Sequence, residues 1–231
     1  MKIKGLTLIA FCLVGLLIWM NFIDLKFDEI VQGTAIKSEY FIETISLSYL
    51  AAYIFYVLNI YLVEKKERKS ILPFVAKKVI GIIVNNYSII NCMTEPSKIN
   101  MNIDFYPTKD DYKKLLRSIN PKEKAPLFFK TKSWIYLFKN RQINTQNSID
   151  KIWLSGKHVD DQLRRILVEI SSSTYLNDSC AFNSEDFNDE NLEKYYLVFF
   201  EYFQLIQQLR NYYNKNLKEY YLQTLPKQLR K

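Results

Sequence analysis

Two charge-free apolar stretches near the start of the chain, Gly5 to Ile23 and Thr44 to Val63, limit what the rest can be. They hold 19 and 20 residues. At a helical rise of roughly 1.5 Å per residue each reaches about 28 to 30 Å, the thickness of a bilayer's hydrocarbon core. Glu64-Lys65-Lys66-Glu67-Arg68-Lys69 follows the second stretch directly, and basic residues so placed resist translocation. The pattern predicts an all-α protein. An N-terminal two-helix transmembrane hairpin occupies residues 1–69 (spans about 5–23 and 44–63), an amphipathic connecting helix 70–94, and a cytoplasmic helical bundle with a long C-terminal helix 95–231.

Charge sets the orientation. Residues 1–63 carry only 4 of the 32 Lys/Arg and 5 of the 24 Asp/Glu, so nearly all basic character lies after the second stretch. Lys2 and Lys4 precede the first stretch. Between the two, Lys26 and Lys37 stand against Asp24, Asp28, Glu29, Glu39 and Glu43. The positive-inside rule then predicts a multi-pass protein of a bacterial inner membrane, with both termini cytoplasmic and a short acidic loop outside. Trp19, Tyr40 and Phe41 suit the aromatic belt at the outer interface. A cleaved signal peptide would also start with lysines and an apolar run. Here no small-x-small site precedes the charges of Asp24 to Glu29, and Phe11 stands where a lipoprotein signal ahead of Cys12 needs a small residue.

Within the second stretch Tyr49, Tyr53 and Tyr56 recur at helical spacing, with Ser48 and Ala52 beside them and Asn59 nearer the basic end. Small residues allow close helix approach, and hydroxyls in hydrocarbon need partners, so this is the predicted span-association face. Two partners are open: the first span of the same chain, near Gly15, or a second copy in an oligomeric bundle.

Pro73 suits the first turn of a helix running to about Met93, with Val75, Val79, Ile82, Ile83, Ile89, Ile90 and Met93 on one side. With Lys77 and Lys78 near its start it is too short for a third span and reads as an interfacial or core helix. Lys65, Lys66, Arg68, Lys69, Lys77 and Lys78 are the candidate contacts to anionic lipid. Thr108 is an N-cap for Lys109 to Ile119, with Asp110 and Asp111 in the first turn. An aromatic helix starts near Ser133, a short one at Ser148 that Gly156 interrupts, and an amphipathic one after His158 with Val159, Leu163, Ile166, Leu167 and Ile170 on its stripe. Asp189 to Thr224 reads as one long helix of about 50 Å, whose C-terminal half projects or packs on a partner. Nothing alternates with a period of two, so little or no sheet is expected.

The chemistry-bearing residues are sparse. The one histidine lies in His158-Val159-Asp160-Asp161, where neighbours on a helix cannot all face one ion, and the two acids read as first-turn residues that suit the helix dipole. Asp178, Glu185, Asp186, Asp189, Glu190 and Glu193 do not fit an EF-hand, because Asn191 and Leu197 stand where Gly and Glu are needed. Cys12, Cys92 and Cys180 outline neither a disulfide framework nor a zinc site. With five glycines and no phosphate-loop or nucleophile-elbow motif, no catalytic, cofactor or metal residue is assigned. Residues 109–165 hold 14 Lys/Arg against 6 Asp/Glu, interleaved with Phe128, Phe129, Trp134, Tyr136 and Phe138. That composition suits single-stranded nucleic acid or, better for a domain tethered at the inner leaflet, anionic lipid.

The run Ser48 to Tyr56, closing in Val63-Glu64-Lys65-Lys66, resembles that of uncharacterised two-span bacterial inner-membrane proteins, as does Val159-Asp160-Asp161-Gln162-Leu163 leading to Ile166-Leu167-Val168-Glu169-Ile170. The resemblance implies a membrane protein with a helical cytoplasmic domain and brings no activity. Arg210-Asn211 resembles the helix motif of HEPN-type ribonucleases, but Lys215 and Asn216 occupy positions where the family places its histidine. That implies at most a non-catalytic relative. The function expected is a non-enzymatic membrane-anchored sensor, scaffold or effector that binds a cytoplasmic protein partner or its own copies. The alternatives are a membrane-tethered nucleic-acid-binding protein and a small membrane-disrupting effector of a bacterial defence system.

Overall fold

The structure, a computed structural model, describes residues 2–22, 34–97, 107–126, 132–156, 159–177 and 190–226. It is all-helical, and among the described residues the only bridge between extended segments is an isolated one joining Lys124 and Ser133. The chain divides into two compact units, Met1–Arg68 and Lys69–Lys231. His158, Cys180, Phe128, Phe129 and the acids Asp178 to Asp189 lie outside the described residues.

The first unit pairs α1 (Lys2–Phe22) with α2 (Thr34–Tyr56). Tyr49 and Tyr53 of α2 hydrogen-bond to Leu6 and Thr7 of α1. A parallel arrangement with that contact would separate Phe22 from Thr34 by about 50 Å, whereas the twelve peptide steps between them span at most about 40 Å. The pair is therefore an antiparallel hairpin. A π-helical turn, Val57–Tyr61, continues α2.

One helix among the described residues, Tyr40–Glu95, is long and apolar enough to cross a membrane, and Lys4–Trp19 is apolar but shorter. Of the two spans read from the sequence, the described residues thus support the second, and the two-span arrangement is not shown.

α3 (Leu62–Ser97) extends beyond both ends of the helix expected from Pro73 to Met93. Pro73 stands in its interior, where it cannot donate to the Lys69 carbonyl; such a proline costs about 3 kcal/mol in an isolated helix. Burial of Val75, Ala76, Val79, Ile82, Ile83, Ile89, Ile90 and Met93 offsets that cost and makes this a core helix of the second unit, not an interfacial one.

Thr108 caps α4 (Lys109–Arg117) with a reciprocal capping box through Asp111. The backbone and side-chain hydrogen bonds from Thr108 hold the Asp111 carboxyl below its ordinary range. Ser133 caps α5 (Trp134–Trp153). The short helix expected to open at Ser148 is instead the last part of α5: the Ser148 hydroxyl donates to the Asn144 carbonyl within the helix and breaks nothing. Gly156, at φ 60°, supplies the left-handed residue of the turn that follows. Of the two acids read as first-turn residues only Asp161 is one: Asp160 instead caps α6 (Asp161–Ser171), accepting from the Leu163 amide and the Tyr212 hydroxyl.

The long C-terminal helix is also corrected. A 3-10 turn, Glu193–Tyr195, enters α7 (Tyr196–Asn216), the backbone leaves helical geometry at Leu217, and α8 (Lys218–Thr224) follows. Leu217 is buried and Tyr221 packs edge-on against Tyr213 at 6.4 Å. Leu217 thus divides the expected single helix into α7 and α8 while its own side chain stays in the core. α7 is the hub: α4 and α6 pack on it, and its Phe199, Tyr202, Phe203 and Ile206 fill the core.

Candidate functional site

The hairpin unit presents apolar side chains all round: Phe11 is 73% exposed, Tyr40 72% and Ile54 56%, with Leu8, Ile18, Trp19, Phe41, Leu47, Phe55 and Leu58 also exposed. In water a surface of this kind would be far larger than monomers tolerate. Three of its hydroxyls, by contrast, are turned toward the helix pair, while Thr44 and Ser48 stay exposed. Tyr49 donates to the Leu6 carbonyl at 3.3 Å, and the Tyr53 and Thr7 hydroxyls lie 2.8 Å apart. Ala10 and Ser46 are its buried small residues. Asn59, in the π-helical turn, donates to the Phe55 carbonyl at 3.2 Å and so finds its partner locally rather than on another helix.

Of the predicted association face, the structure therefore brings Tyr49 and Tyr53 to α1, leaves Tyr56 half-buried, and exposes Ser48 and Ala52. Contact falls at Leu6 and Thr7 instead of Gly15, around which a Cβ would meet nothing within 4 Å. The hydroxyl of Thr7, which composition alone did not mark, was the partner to look for.

Lys65, Lys66 and Arg68 are exposed in the first unit and Lys69 and Lys77 in the second, with Lys78 half-exposed. Lys65 lies over the Tyr61 ring at 5.9 Å and Lys78 over Phe74 at 5.6 Å, which holds the lysine stems along aromatic surface and leaves the ammonium groups at the edge.

Of the aromatic residues offered as stacking platforms, three lie among the described residues, and two of these are consumed by the core. Trp134 and Phe138 are core residues, Phe138 packing on Phe199 at 5.1 Å. Tyr136 is exposed but carries Lys132 at 5.1 Å over its ring. Lys113 and Arg117 face Glu193 at 3.7 and 3.6 Å. Arg210, which carried the ribonuclease resemblance, donates to the Tyr87 hydroxyl at 2.6 Å and lies over the same ring. Arg141 makes the matching contacts to Asn85 and Ser88. These two arginines tie α7 and α5 to α3 and have a structural task.

Burial pushes the Cys92 thiol up, as befits a packed apolar side chain. Burial also raises Tyr112 and Tyr202 well above their ordinary value. The neutral phenol is then favoured in the folded state. Its stabilisation is complete below the unfolded value near 10 and is lost as pH rises above it, at about 1.4 kcal/mol per pH unit for each tyrosine. Helix content should therefore collapse cooperatively above pH 10, together with the rise in tyrosinate absorbance, and Tyr112→Phe should make the loss less steep. Ionisation of Tyr112, read as the difference between the two proteins at pH 10 with helix intact, would contradict this.

One open groove in the second unit gathers polar side chains that the sequence did not single out. It has a volume of about 620 Å³ between α6 and α7. Gln162 and Arg165 face it from α6, and Gln208, Asn211, Lys215 and Asn216 from α7; Ile166 and Tyr212 also line it. The available signal was the i, i+3, i+7 spacing of Gln208, Asn211 and Lys215, which puts them on one face of α7. Among the described residues no group of three His, Cys, Asp or Glu gathers as a metal site would require.

Compared with known proteins, the chain matches no protein-family model, no curated protein and no solved structure.

Proposed function

We propose that this chain is a non-enzymatic bilayer-anchored sensor, scaffold or effector, whose N-terminal hairpin lies in a bacterial inner membrane and whose helical unit meets a cytoplasmic protein partner. The observation that carries the reading is the outward apolar surface of the hairpin combined with the inward pairing of Tyr49, Tyr53 and Thr7. Hydrocarbon imposes that inversion, since a hydroxyl facing lipid has no water to bond. α1, 21 residues and about 31 Å of helix, pairs with α2, which supports a second crossing beside it. The exposed basic residues from Lys65 to Lys78 suit the anionic inner leaflet, where each is worth about 1 kcal/mol near the surface. Toward a protein partner the helical unit offers exposed Val84, Ile143, Leu154 and Val168.

A reporter that works only outside the inner membrane tests the topology. Fused after Asp28 it should be active, and fused after Lys69 or Lys231 it should be silent. Activity at Lys231 would put the helical unit outside and overturn the reading. Silence at Asp28 would remove the second crossing.

A further inference from the structure

The contacts between α1 and α2 set their register, and the register gives one carboxyl a place that its position in the chain does not suggest. Leu6 meets Tyr49 and Thr7 meets Tyr53 in an antiparallel pair. Counting six residues on from the first contact, or ten from the second, sets Glu43 level with Cys12 to Leu17. That is the middle of the apolar stretch Gly5 to Ile23, although Glu43 stands just outside the stretch Thr44 to Val63. Glu43 is half-buried and continues the α1-facing side of α2 that holds Ser46, Tyr49 and Tyr53, at helical spacings of three, three and four. At its level the half-buried residues of α1 are Leu13 and Leu17. Among the described residues Glu43 makes no hydrogen bond and no ion pair.

We infer that Glu43 is a proton-binding site inside the hairpin, and that loss of its proton loosens the pairing of α1 with α2. The inference rests on the membrane reading, because only in a bilayer does the level of Cys12 to Leu17 lack water. A carboxylate in hydrocarbon needs a counter-charge, and α1 has none to give. From Gly5 to Phe22 it carries no charged side chain, and Lys4 lies at least eight residues from that level, about 12 Å along the axis. The one titratable group of α1 at this level, the Cys12 thiol, is exposed. On α2 Tyr40 is exposed, Tyr49 and Tyr53 are already bonded to α1, and the side chains of Lys37 and Glu39 lie outside the described residues. With its proton the acid is a donor that can bond a carbonyl of α1, as Tyr49 does. Without it the ion has to draw water between the helices. The packed pair therefore holds one more proton than the opened pair, and pairing weakens as pH rises.

The test uses the full chain in vesicles of phosphatidylethanolamine and phosphatidylglycerol, with Cys12→Ser, Cys92→Ala and Cys180→Ser. Spin labels go on Phe11→Cys and Leu47→Cys, exposed positions at similar levels on the two helices. Dipolar spectroscopy between the labels reads the spread of their separation. With Glu43 in place the spread should roughly double from about pH 5 to about pH 8, as the seam gives up its proton. Glu43→Gln, which has no proton to release, should keep the narrow spread throughout, and Glu43→Asp should restore the response. No response with Glu43 in place, or an equal one in Glu43→Gln, overturns the inference while the chain still floats with the vesicles. A chain that does not float with them overturns the membrane reading and the inference together.

Discussion

Phe138→Ala is expected to destabilise the helical unit by about 3–5 kcal/mol, against a total of roughly 5–15 kcal/mol for a domain. Phe138 is fully buried between Trp134, at 5.8 Å between ring centroids, and Phe199, at 5.1 Å, so its removal leaves a cavity where α5 meets α7. The neighbouring rings are themselves held: Phe199 also packs on Tyr175 at 5.2 Å, and Tyr175 on Tyr202 at 4.4 Å. A tightly held wall relaxes little into a void, which favours the upper part of that range. Urea unfolding of the full chain in detergent, followed by circular dichroism, reads the change. Ile143→Ala on the exposed side of α5 is the control and should move stability by less than about 0.5 kcal/mol. A loss under about 1 kcal/mol for Phe138→Ala would mean that the α5–α7 packing is not as described.

The second large effect concerns the hairpin. Ile54 lies near the middle of the apolar run and is 56% exposed. If its neighbours are lipid chains, Ile54→Arg should oppose insertion by about 3 kcal/mol, the difference between arginine and isoleucine at the centre of a span. Leu154 is even more exposed, at 87%, but belongs to the helical unit, where Leu154→Arg should cost nothing measurable. Resistance of each protein to extraction by alkaline carbonate separates the two. The wild type and Leu154→Arg should stay with the membrane, and Ile54→Arg should be released or degraded. Retention of Ile54→Arg at wild-type level would show that this surface does not face hydrocarbon.

Local signals were readable wherever one residue type does one job. Thr108, Ser133 and Asp160 begin their helices because a side-chain oxygen bonded to a first-turn amide needs no tertiary support. The stripe from Val159 to Ile170 went to the core as its spacing requires. The buried side of α3 was visible in the same way. Ends of elements were not. Ser148 has the residue type of a cap, but its hydroxyl turns back to Asn144, and only the surrounding packing chooses between the two. The candidate groove was also hidden, since Arg165 and Lys215 lie fifty positions apart and nothing in either segment announces the other.

Composition and order alone determined that the chain is helical, that its apolar surface is concentrated in the first 63 residues, and that its basic residues follow. These follow from periodicity and hydrophobicity, which are local properties. Tertiary structure decided where the polar groups find their partners. Tyr53 meets Thr7, Arg210 meets Tyr87 and Arg141 meets Ser88, pairings separated by 46 to 123 positions. It also decided that the regular helix is interrupted at Leu217, whose side chain stays buried and beyond which Tyr221 packs on Tyr213. Such choices compare the burial available to competing arrangements, and that comparison exists only once the other helices are in place.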